Sequence, residues 1–307
     1  MDDMKWFFGF ILIIGMLWVS SRFKKDAPEP TADPSAPVPA VTAPTKSPTA
    51  PQQSGGNPPA GTIISQSTAP APDPNLSPLK GKLFINSAQL SGSVDQEYVL
   101  IQASSANTDS IPLTGLSVRS GETFNSQTIS KGLPLMYPGS VSEGETIMLR
   151  PGGYAYLLSG RSPMPLTTGP ITNSGGFQPN KCTGYFEQGL DFYPALSIEC
   201  PSPTSEPLPQ APNRLSDACY DYMASLPRCT LPPGTLPSYL LADGNCQAHL
   251  FNKINYGQCV AYHKNEPDFF KNEWRIYFGR GSKLWRDRRE TVELLDVNGK
   301  VIDRKSY

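Results

Sequence analysis

Six cysteines lie in one interior segment of the 307-residue chain, residues 161–272, and the rest of the sequence has none. An even number confined to one segment, in a chain with an export-type start, predicts a framework of up to three disulfides. These bonds would staple a loop-rich insertion, and the spacing of the cysteines does not select one connectivity. The predicted disulfide-forming residues are Cys182, Cys200, Cys219, Cys229, Cys246 and Cys259.

The same segment carries helix signals. Ser216 has the character of an N-cap, because an apolar stripe at helical spacing follows it and a proline ends that stripe. Residues 245–270 predict two short helices that break at Asn255-Tyr256-Gly257. We therefore predict that the insertion consists mainly of helices and loops joined by cystines.

The N-terminus carries an uncharged apolar run, from Trp6 to Val19, that basic residues close. Its length and its aromatic ends predict a single-pass transmembrane anchor over residues 5–21. A cleaved signal peptide is the alternative, because Val19-Ser20-Ser21 supplies small residues. The cations after the run favour a globular part that lies in the cytoplasm. The clustered cysteines instead favour an oxidising compartment. We expect a protein of the cell membrane whose globular part is extracytoplasmic.

A tract rich in proline, alanine, threonine and serine follows the apolar run. It has neither an aromatic residue nor a cysteine between residues 26 and 79. Such a composition buries too little apolar surface to offset the entropy of ordering the chain. We predict a disordered stalk over residues 22–80, extended at about 3 Å per residue where it adopts polyproline II.

Beyond the stalk, aromatic residues return and the pattern is that of strands. Apolar or alternating runs of strand length, such as residues 82–90 and 96–104, are separated by Gly, Pro, Asn and Asp. Two apolar runs flank Asn298-Gly299, which is the strongest short-range signal of a β-hairpin. Short strands at this spacing predict an all-β fold, an antiparallel sandwich or barrel.

Three stretches together carry a family resemblance. The first is Glu97-Tyr98-Val99-Leu100-Ile101 with Ile111–Arg119 after a polar gap, the second is "RPGGYAYLLSG", and the third is the closing "LWRDRRETVELLDVNGKVIDRKSY". They are similar to the lamin-tail domain (LTD) family. The chain resembles in particular bacterial cell-surface members with a cysteine-bearing insertion. The resemblance implies an immunoglobulin-like β-sandwich formed discontinuously by residues 82–160 and 273–307, around the insertion 161–272. It also implies that the last hairpin completes a sheet begun near residue 82.

One constellation offers a different chemistry for two of the cysteines. Cys246 and His249, followed by Cys259 and His263, have spacings near those of tetrahedral zinc ligands. In the reducing cytoplasm these residues would form a Cys2His2 site. We favour disulfides, because zinc would leave the other four cysteines without a ligand pattern. We expect no metal and no other cofactor.

Catalytic motifs are absent from the sequence: it has no Gly-x-Ser-x-Gly elbow, no phosphate-binding loop and no His-Glu-x-x-His. A cell-envelope hydrolase would need paired carboxylates, and the insertion supplies four candidates: Asp191, Glu199, Asp217 and Asp221. Acidic residues are common on solvated faces, so we keep the hydrolase as an alternative and expect a protein that is not an enzyme.

A group of basic and aromatic residues near the C-terminus is a candidate binding patch. Charge and stacking together suit an anionic envelope polymer or a nucleic acid. The simpler interpretation, which we prefer, places Trp274 and Ile276 inward on a strand and Arg275 and Tyr277 in water. The candidate residues are Trp274, Arg275, Arg280, Trp285, Arg286, Arg288 and Arg289.

The sequence thus predicts a membrane-anchored, extracytoplasmic, non-catalytic binding or structural module of the cell surface. Its expected partners are the membrane, through the N-terminal helix, and an envelope polymer or another protein. The net charge of −1 provides no overall field for nucleic acid. A cytoplasmic-facing module that binds zinc or nucleic acid is the second alternative, beside the hydrolase.

Overall fold

The structure of the protein is a computed structural model that describes residues 77–136, 144–166 and 174–307. The strands in these ranges are β1 (Leu83–Gln89), β2 (Tyr98–Ala103), β3 (Ile111–Pro112), β4 (Ser117–Ser120), β5 (Ser126–Thr128), β6 (Gly132–Leu133), β7 (Met148–Leu149), β8 (Tyr154–Leu158), β9 (Gly175–Phe177), β10 (Glu273–Tyr277), β11 (Thr291–Leu295) and β12 (Val301–Ser306). The α-helices are α1 (Asp217–Ser225), α2 (Gly244–Lys253) and α3 (Tyr256–His263). Short 3-10 helices span Thr183–Gln188, Pro203–Ser205 and Ser238–Leu240.

The larger sheet has six strands in the order β1-β2-β8-β10-β9-β6. Its pairing is mixed, because β8 and β10 are parallel, as are β6 and β9, while the other neighbours are antiparallel. Side chains along its central strand alternate between two buried faces. In β10, Trp274 and Ile276 belong to one hydrophobic cluster and Tyr277 to another, as the two-residue period of a strand requires.

A second sheet, in the order β12-β11-β4-β5, contains the C-terminal hairpin. The hairpin predicted at Asn298-Gly299 is confirmed: Gly299 has a φ of +75°, and the Asp296 carboxylate accepts the N–H groups of Asn298 and Lys300, each at 2.9 Å. However, β11 pairs with β4 and not with the sheet that contains β1. The expectation that the hairpin completes the sheet begun near residue 82 is therefore wrong.

The hairpin still covers the edge of the larger sheet. Asp303 in β12 accepts the backbone N–H of Ile85 in β1 at 2.7 Å. Lys305 donates to the carbonyl oxygen of Asn86 at 2.6 Å. Because an open strand edge invites pairing with other chains, these side chains protect β1 while they connect the two sheets.

Two hydrophobic clusters enclose the larger sheet. We call the first the sheet core, because residues of both sheets line it, among them Val99 in β2 and Leu294 in β11. We call the second the helix core, in which Phe177 of β9 packs with Met223 of α1 and Leu250 of α2. The larger sheet is thus covered by strands on one face and by helices and loops on the other.

Each α-helix begins at a side-chain cap. Ser216, Asp243 and Asn255 accept the backbone N–H three residues ahead at 3.2, 2.9 and 2.9 Å, which satisfies a group that the helix leaves unpaired. The Ser216 hydroxyl also donates to the Asp243 carboxylate at 2.7 Å, and this bond lowers the pKa of that carboxyl. The helix predicted after Ser216 and the two helices predicted within 245–270 are confirmed as α1, α2 and α3.

The predicted fold class, an all-β immunoglobulin-like sandwich, is wrong: the described chain is a mixed α/β fold. Segment 161–272 contributes β9, which pairs between β10 and β6 inside the larger sheet. Its helices share the helix core with Leu158 and Tyr277 of that sheet. The strand gives little signal in sequence because it has only three residues, two of them glycine, so no alternating pattern can develop.

The predicted N-terminal segments lie almost wholly outside the described residues. The transmembrane helix expected over residues 5–21 falls outside them. Of the stalk expected over 22–80, residues 22–76 also fall outside. The last stalk residues contact the folded part, since the Ser77 N–H donates to the carbonyl oxygen of Val301 at 3.1 Å. None of the described helices combines the length and the apolar character that a membrane crossing requires.

Leu294 tests how far the fold depends on the terminal hairpin. Its side chain is fully buried, whereas Val297 is 68% exposed. We expect Leu294→Ala to lower the free energy of unfolding by about 2–5 kcal/mol, because it removes buried carbon and leaves a cavity. Val297→Ala should change it by less than about 0.5 kcal/mol. Urea unfolding measures both values, and equal effects would contradict the placement of β11 in the sheet core.

Candidate functional site

The connection between β10 and β11 concentrates positive charge on a short segment. We call residues 283–289 the basic loop. Leu284 and Trp285 are buried in the sheet core, so two apolar side chains anchor the loop, and its three arginines are exposed. The cations of the loop are Lys283, Arg286, Arg288 and Arg289.

A buried carboxylate fixes the first half of the loop. Glu97, directly before β2, accepts the backbone N–H groups of Leu284 at 2.7 Å and Trp285 at 3.3 Å. The Lys283 ammonium lies 3.9 Å from the same carboxylate. Burial raises the pKa of Glu97, and the backbone hydrogen bonds and Lys283 oppose that rise. The loop thus starts on a polar contact that water does not reach.

A second buried carboxylate fixes the other half. Glu290 accepts the backbone N–H of Arg286 at 2.8 Å and that of Thr291 at 2.9 Å. The Ser120 hydroxyl, in β4, donates to both of its oxygens at 3.0 and 2.9 Å. Because charged acceptors make strong hydrogen bonds, the backbone of the loop is held at both ends.

The loop and the turn after β1 border a cleft of about 700 Å³, which we call the basic cleft. The turn contributes Ser91 and Gly92. This turn was not among the residues singled out from the sequence, since neither residue carries a charge or a motif. The loop residues that line the cleft are Lys283, Trp285, Arg286, Asp287 and Arg288.

The cations of the cleft differ in how far they are neutralised. Lys283 forms an ion pair with Asp287, and Arg286 lies 3.7 Å from Glu122. Arg288 has no hydrogen-bond or ion-pair partner within the part of the chain that the structure describes. The cleft therefore keeps positive charge that its own carboxylates do not balance. Guanidinium groups in this state bind carboxylate, phosphate or sulfate through paired N–H donors.

Trp285 adds an unsatisfied donor beneath the arginines. Its residue is only 3% exposed, and its indole N–H has no hydrogen-bond partner among the described residues. A buried donor without an acceptor costs free energy, and most native proteins avoid it.

The structure divides the predicted binding patch. Trp274 is buried in the sheet core and donates from its indole nitrogen to the carbonyl oxygen of Met148 at 3.1 Å. The Arg280 guanidinium donates to the carbonyl oxygen of Ser282, two residues ahead, at 3.0 Å. Arg286, Arg288 and Arg289 stay exposed, and Arg286 and Arg288 line the basic cleft together with Trp285.

Arg275 does not face water, as the sequence suggested. It is buried, with its guanidinium 4.2 Å from the centre of the Tyr156 ring. It forms an ion pair with Glu273 at 2.5 Å and donates to the carbonyl oxygen of Pro194 at 2.6 Å. Tyr277 is buried on the same face. Segment 161–272 covers this face of β10, and that cover removes both side chains from solvent.

The predicted disulfides are confirmed. All six cysteines are paired, with S–S distances between 2.02 and 2.09 Å. The bonds are buried in the helix core, where they connect the helices to the loops between them. The pairs are Cys182–Cys259, Cys200–Cys229 and Cys219–Cys246.

The zinc alternative does not fit these bonds. Cys246 and Cys259 belong to different disulfides, so neither offers the thiolate that zinc requires. His249 is buried, and burial lowers its pKa. Among the described residues, the potential ligand atoms that lie within 4.8 Å of one another belong to Glu206, Cys259 and His263. The sulfur of that group is also committed to a disulfide.

His263 instead bridges two carboxylates. Its Nε2 lies 3.0 and 3.1 Å from the oxygens of buried Glu206, and its Nδ1 lies 2.7 Å from Glu266. Lys181 continues the network to Glu266 at 2.5 Å and to Asp268 at 2.8 Å. Burial lowers the pKa of His263, but the hydrogen bonds from Glu266 and Glu206 outweigh it, so the net pKa is raised. The His263 ring thus connects its own segment to that of Glu206, and Lys181 adds a third segment through Glu266.

The carboxylates considered for a hydrolase are not gathered into one site. Asp191 lines a cleft beside the turn after β1. Glu199 forms an ion pair with Lys271 beside another cleft. Asp217 and Asp221 lie on α1. Asp191 and Glu199 therefore line different clefts, whereas Asp217 and Asp221 lie one turn apart on the same helix.

No protein-family model, no curated protein and no solved structure matches this chain. The lamin-tail resemblance therefore stays a prediction. The function has to be inferred from the basic cleft and its surroundings.

Glu97 offers a test of how the basic loop is held. We expect Glu97→Ala to lower the free energy of unfolding at pH 7 by about 2–4 kcal/mol, because two buried N–H groups lose their acceptor. Glu97→Gln keeps an acceptor oxygen and removes a charge that burial disfavours, so its loss should be less than half as large. Guanidinium unfolding compares the two. Equal losses would show that the charge, and not the acceptor, stabilises the loop.

His263 gives the fold a predicted pH dependence. Since the pKa of His263 is raised in the folded state, its stabilisation is complete below the ordinary histidine pKa and is lost as the pH rises through the raised value. We expect His263→Gln to cost about 1–2 kcal/mol more near pH 5.5 than near pH 8.5. Unfolding experiments at the two pH values measure this difference.

His249→Gln is the matched control, because burial lowers the pKa of His249. The sign is then reversed: protonation is disfavoured in the folded state, so the cost of His249→Gln should be smaller at low pH than at high pH. The same pH trend for both variants would contradict the bridging role of His263.

Proposed function

We propose that the described part of this chain is a non-catalytic binding module that works outside the cytoplasm and holds an anionic polymer of the cell envelope at the basic cleft. One observation carries the proposal: Arg286 and Arg288 border a cleft, on a loop that two buried carboxylates fix. The incomplete neutralisation of these arginines leaves them free to take an anionic partner. Phosphate, sulfate and carboxylate all fit this chemistry.

The cysteines support the proposed compartment. Three disulfides with no free cysteine among them persist in oxidising surroundings and are rare in the cytoplasm. They support an extracytoplasmic location, as does the predicted resemblance to cell-surface proteins. The membrane anchor expected over residues 5–21 stays a prediction that agrees with this location.

A polymer is favoured over a single small anion because the cleft is open and its cations follow one another. Arg286 and Arg288 are both exposed, as is Arg289, the next residue of the loop. A chain with repeated anionic groups can meet several cations at once, which raises its effective affinity. The fixed backbone adds to this, since little main-chain entropy remains to be lost on binding.

A non-catalytic role is supported by the separation of Asp191 from Glu199, two of the carboxylates considered for a hydrolase. Glycoside hydrolysis requires two carboxyl groups on either side of the bond that breaks. Asp191 and Glu199 line different clefts, and Glu199 is neutralised by Lys271. The basic cleft has Asp287 as its carboxylate, and that group is paired with Lys283.

The test compares two double variants of the full-length chain that remove the same charge. Arg286→Gln/Arg288→Gln removes the cations of the cleft. Arg214→Gln/Arg228→Gln removes two exposed arginines of segment 161–272. Binding of polyphosphate, heparin and poly-glutamate is measured by calorimetry at low and moderate salt. These polymers distinguish phosphate, sulfate and carboxylate as the preferred anion.

We expect the unchanged chain to bind at least one of these polymers, with an affinity that falls as salt rises. The cleft variant should bind about tenfold more weakly or worse, and the control variant within about twofold of the unchanged chain. Absence of binding to all three polymers, or equal losses in the two double variants, would overturn the proposal.

A further inference from the structure

A second cleft lies beside the same turn that borders the basic cleft. It has a volume of about 590 Å³, and we call it the tyrosine cleft because the exposed ring of Tyr193 lines it. The turn supplies Asp95, and the segment after β8 supplies Arg161. The remaining side comes from residues 189–193 of the disulfide-bonded segment.

Tyr193 stands on a fixed base. Phe192 before it and Leu196 after it are both buried in the helix core. The ring of Tyr193 lies 6.1 Å from that of Tyr98, which in turn meets Tyr156 edge-on at 5.4 Å. The exposed ring is therefore the outermost member of an aromatic group whose inner members belong to the larger sheet.

A buried cation fixes the backbone that carries this ring. Arg275 donates to the carbonyl oxygens of Pro194 at 2.6 Å and Ala195 at 3.3 Å, the two residues that follow Tyr193. A buried guanidinium is costly unless its donors are satisfied, and here two of them are used on one loop. The position of the ring is thus set before any ligand arrives, which lowers the entropy that binding has to overcome.

The polar groups of the cleft are arranged around the ring and are largely unused. Asp95 accepts the backbone N–H of Arg161 at 3.2 Å. No partner for the Asp191 carboxylate or the Arg161 guanidinium occurs in residues 77–136, 144–166 and 174–307. The cleft is therefore lined by acceptors from two segments, a donor from a third and an exposed aromatic ring.

We infer that the tyrosine cleft is a carbohydrate site that takes one neutral sugar ring against Tyr193. A sugar ring has an apolar face, which suits an aromatic surface, and hydroxyl groups on its rim that both donate and accept hydrogen bonds. Asp95 and Asp191 accept from hydroxyl hydrogens, and Arg161 donates to hydroxyl oxygens. This inference does not rest on the basic cleft.

Other ligand classes fit the tyrosine cleft less well. Two carboxylates against one guanidinium repel an anion. A wholly apolar ligand would bury Asp95 and Asp191 without compensating hydrogen bonds, which is costly. A neutral ligand rich in hydroxyl groups is the class that satisfies both the aromatic ring and the charges, as in ligand sites that combine apolar walls with a few placed polar groups.

The test is calorimetric titration of the full-length chain with three neutral oligosaccharides: cellotetraose, chitotetraose and maltotetraose. We expect at least one of them to bind. Tyr193→Ala should weaken that binding about tenfold or more, and Asp191→Asn should weaken it because a charged acceptor is lost. Tyr193→Phe should bind nearly as well as the unchanged chain, since the ring remains.

The matched controls are Tyr220→Ala and Asp221→Asn, which change an exposed tyrosine and an exposed aspartate on α1. Both should leave sugar binding unchanged. Polyphosphate binding at the basic cleft should be the same in Tyr193→Ala as in the unchanged chain, so the two sites fail separately. If none of the three sugars binds, or if Tyr220→Ala weakens binding as much as Tyr193→Ala, the inference is overturned.

Discussion

Glu97 connects three segments that are far apart in sequence, through its buried carboxylate and through its backbone. Its carboxylate accepts the N–H groups of Leu284 and Trp285, and its backbone carbonyl oxygen accepts the N–H of Ser159 after β8. The turn that borders both clefts ends at Glu97, whose backbone N–H donates to the carbonyl oxygen of Ser93 at 3.1 Å. Burying a carboxylate is costly, but without it two buried N–H groups would have no acceptor.

The consequence for the proposed function is a preformed surface on an irregular segment. Loops usually combine exposure with mobility, and a mobile loop loses entropy when it binds. The basic loop avoids this because Glu97 and Glu290 hold its backbone and Leu284 anchors it in the sheet core. Its arginine side chains remain exposed on a fixed main chain, the arrangement that a charge-based site requires.

Local features of the fold were predictable, and distant ones were not. The hairpin at Asn298-Gly299, the helix after Ser216 and the presence of disulfides follow from short-range signals. The partner of the hairpin and the entry of β9 into the larger sheet depend on contacts between remote residues. Arg275 shows the same limit at the site, since its neighbour Tyr156 is remote in sequence. The arginines of the basic loop could be named in advance, but a buried carboxylate such as Glu97 looks like any exposed one.

The two clefts draw on different layers of the molecule although they share a turn. The basic loop is anchored in the sheet core through Leu284 and Trp285. Tyr193 is flanked by Phe192 and Leu196 of the helix core, which also contains the three disulfides. Because the larger sheet separates these cores, each cleft has its own support. The ligands proposed for the two clefts are compatible with one polysaccharide that carries anionic groups, since such a chain has both hydroxyl-rich rings and negative charge, and the turn after β1 borders both clefts.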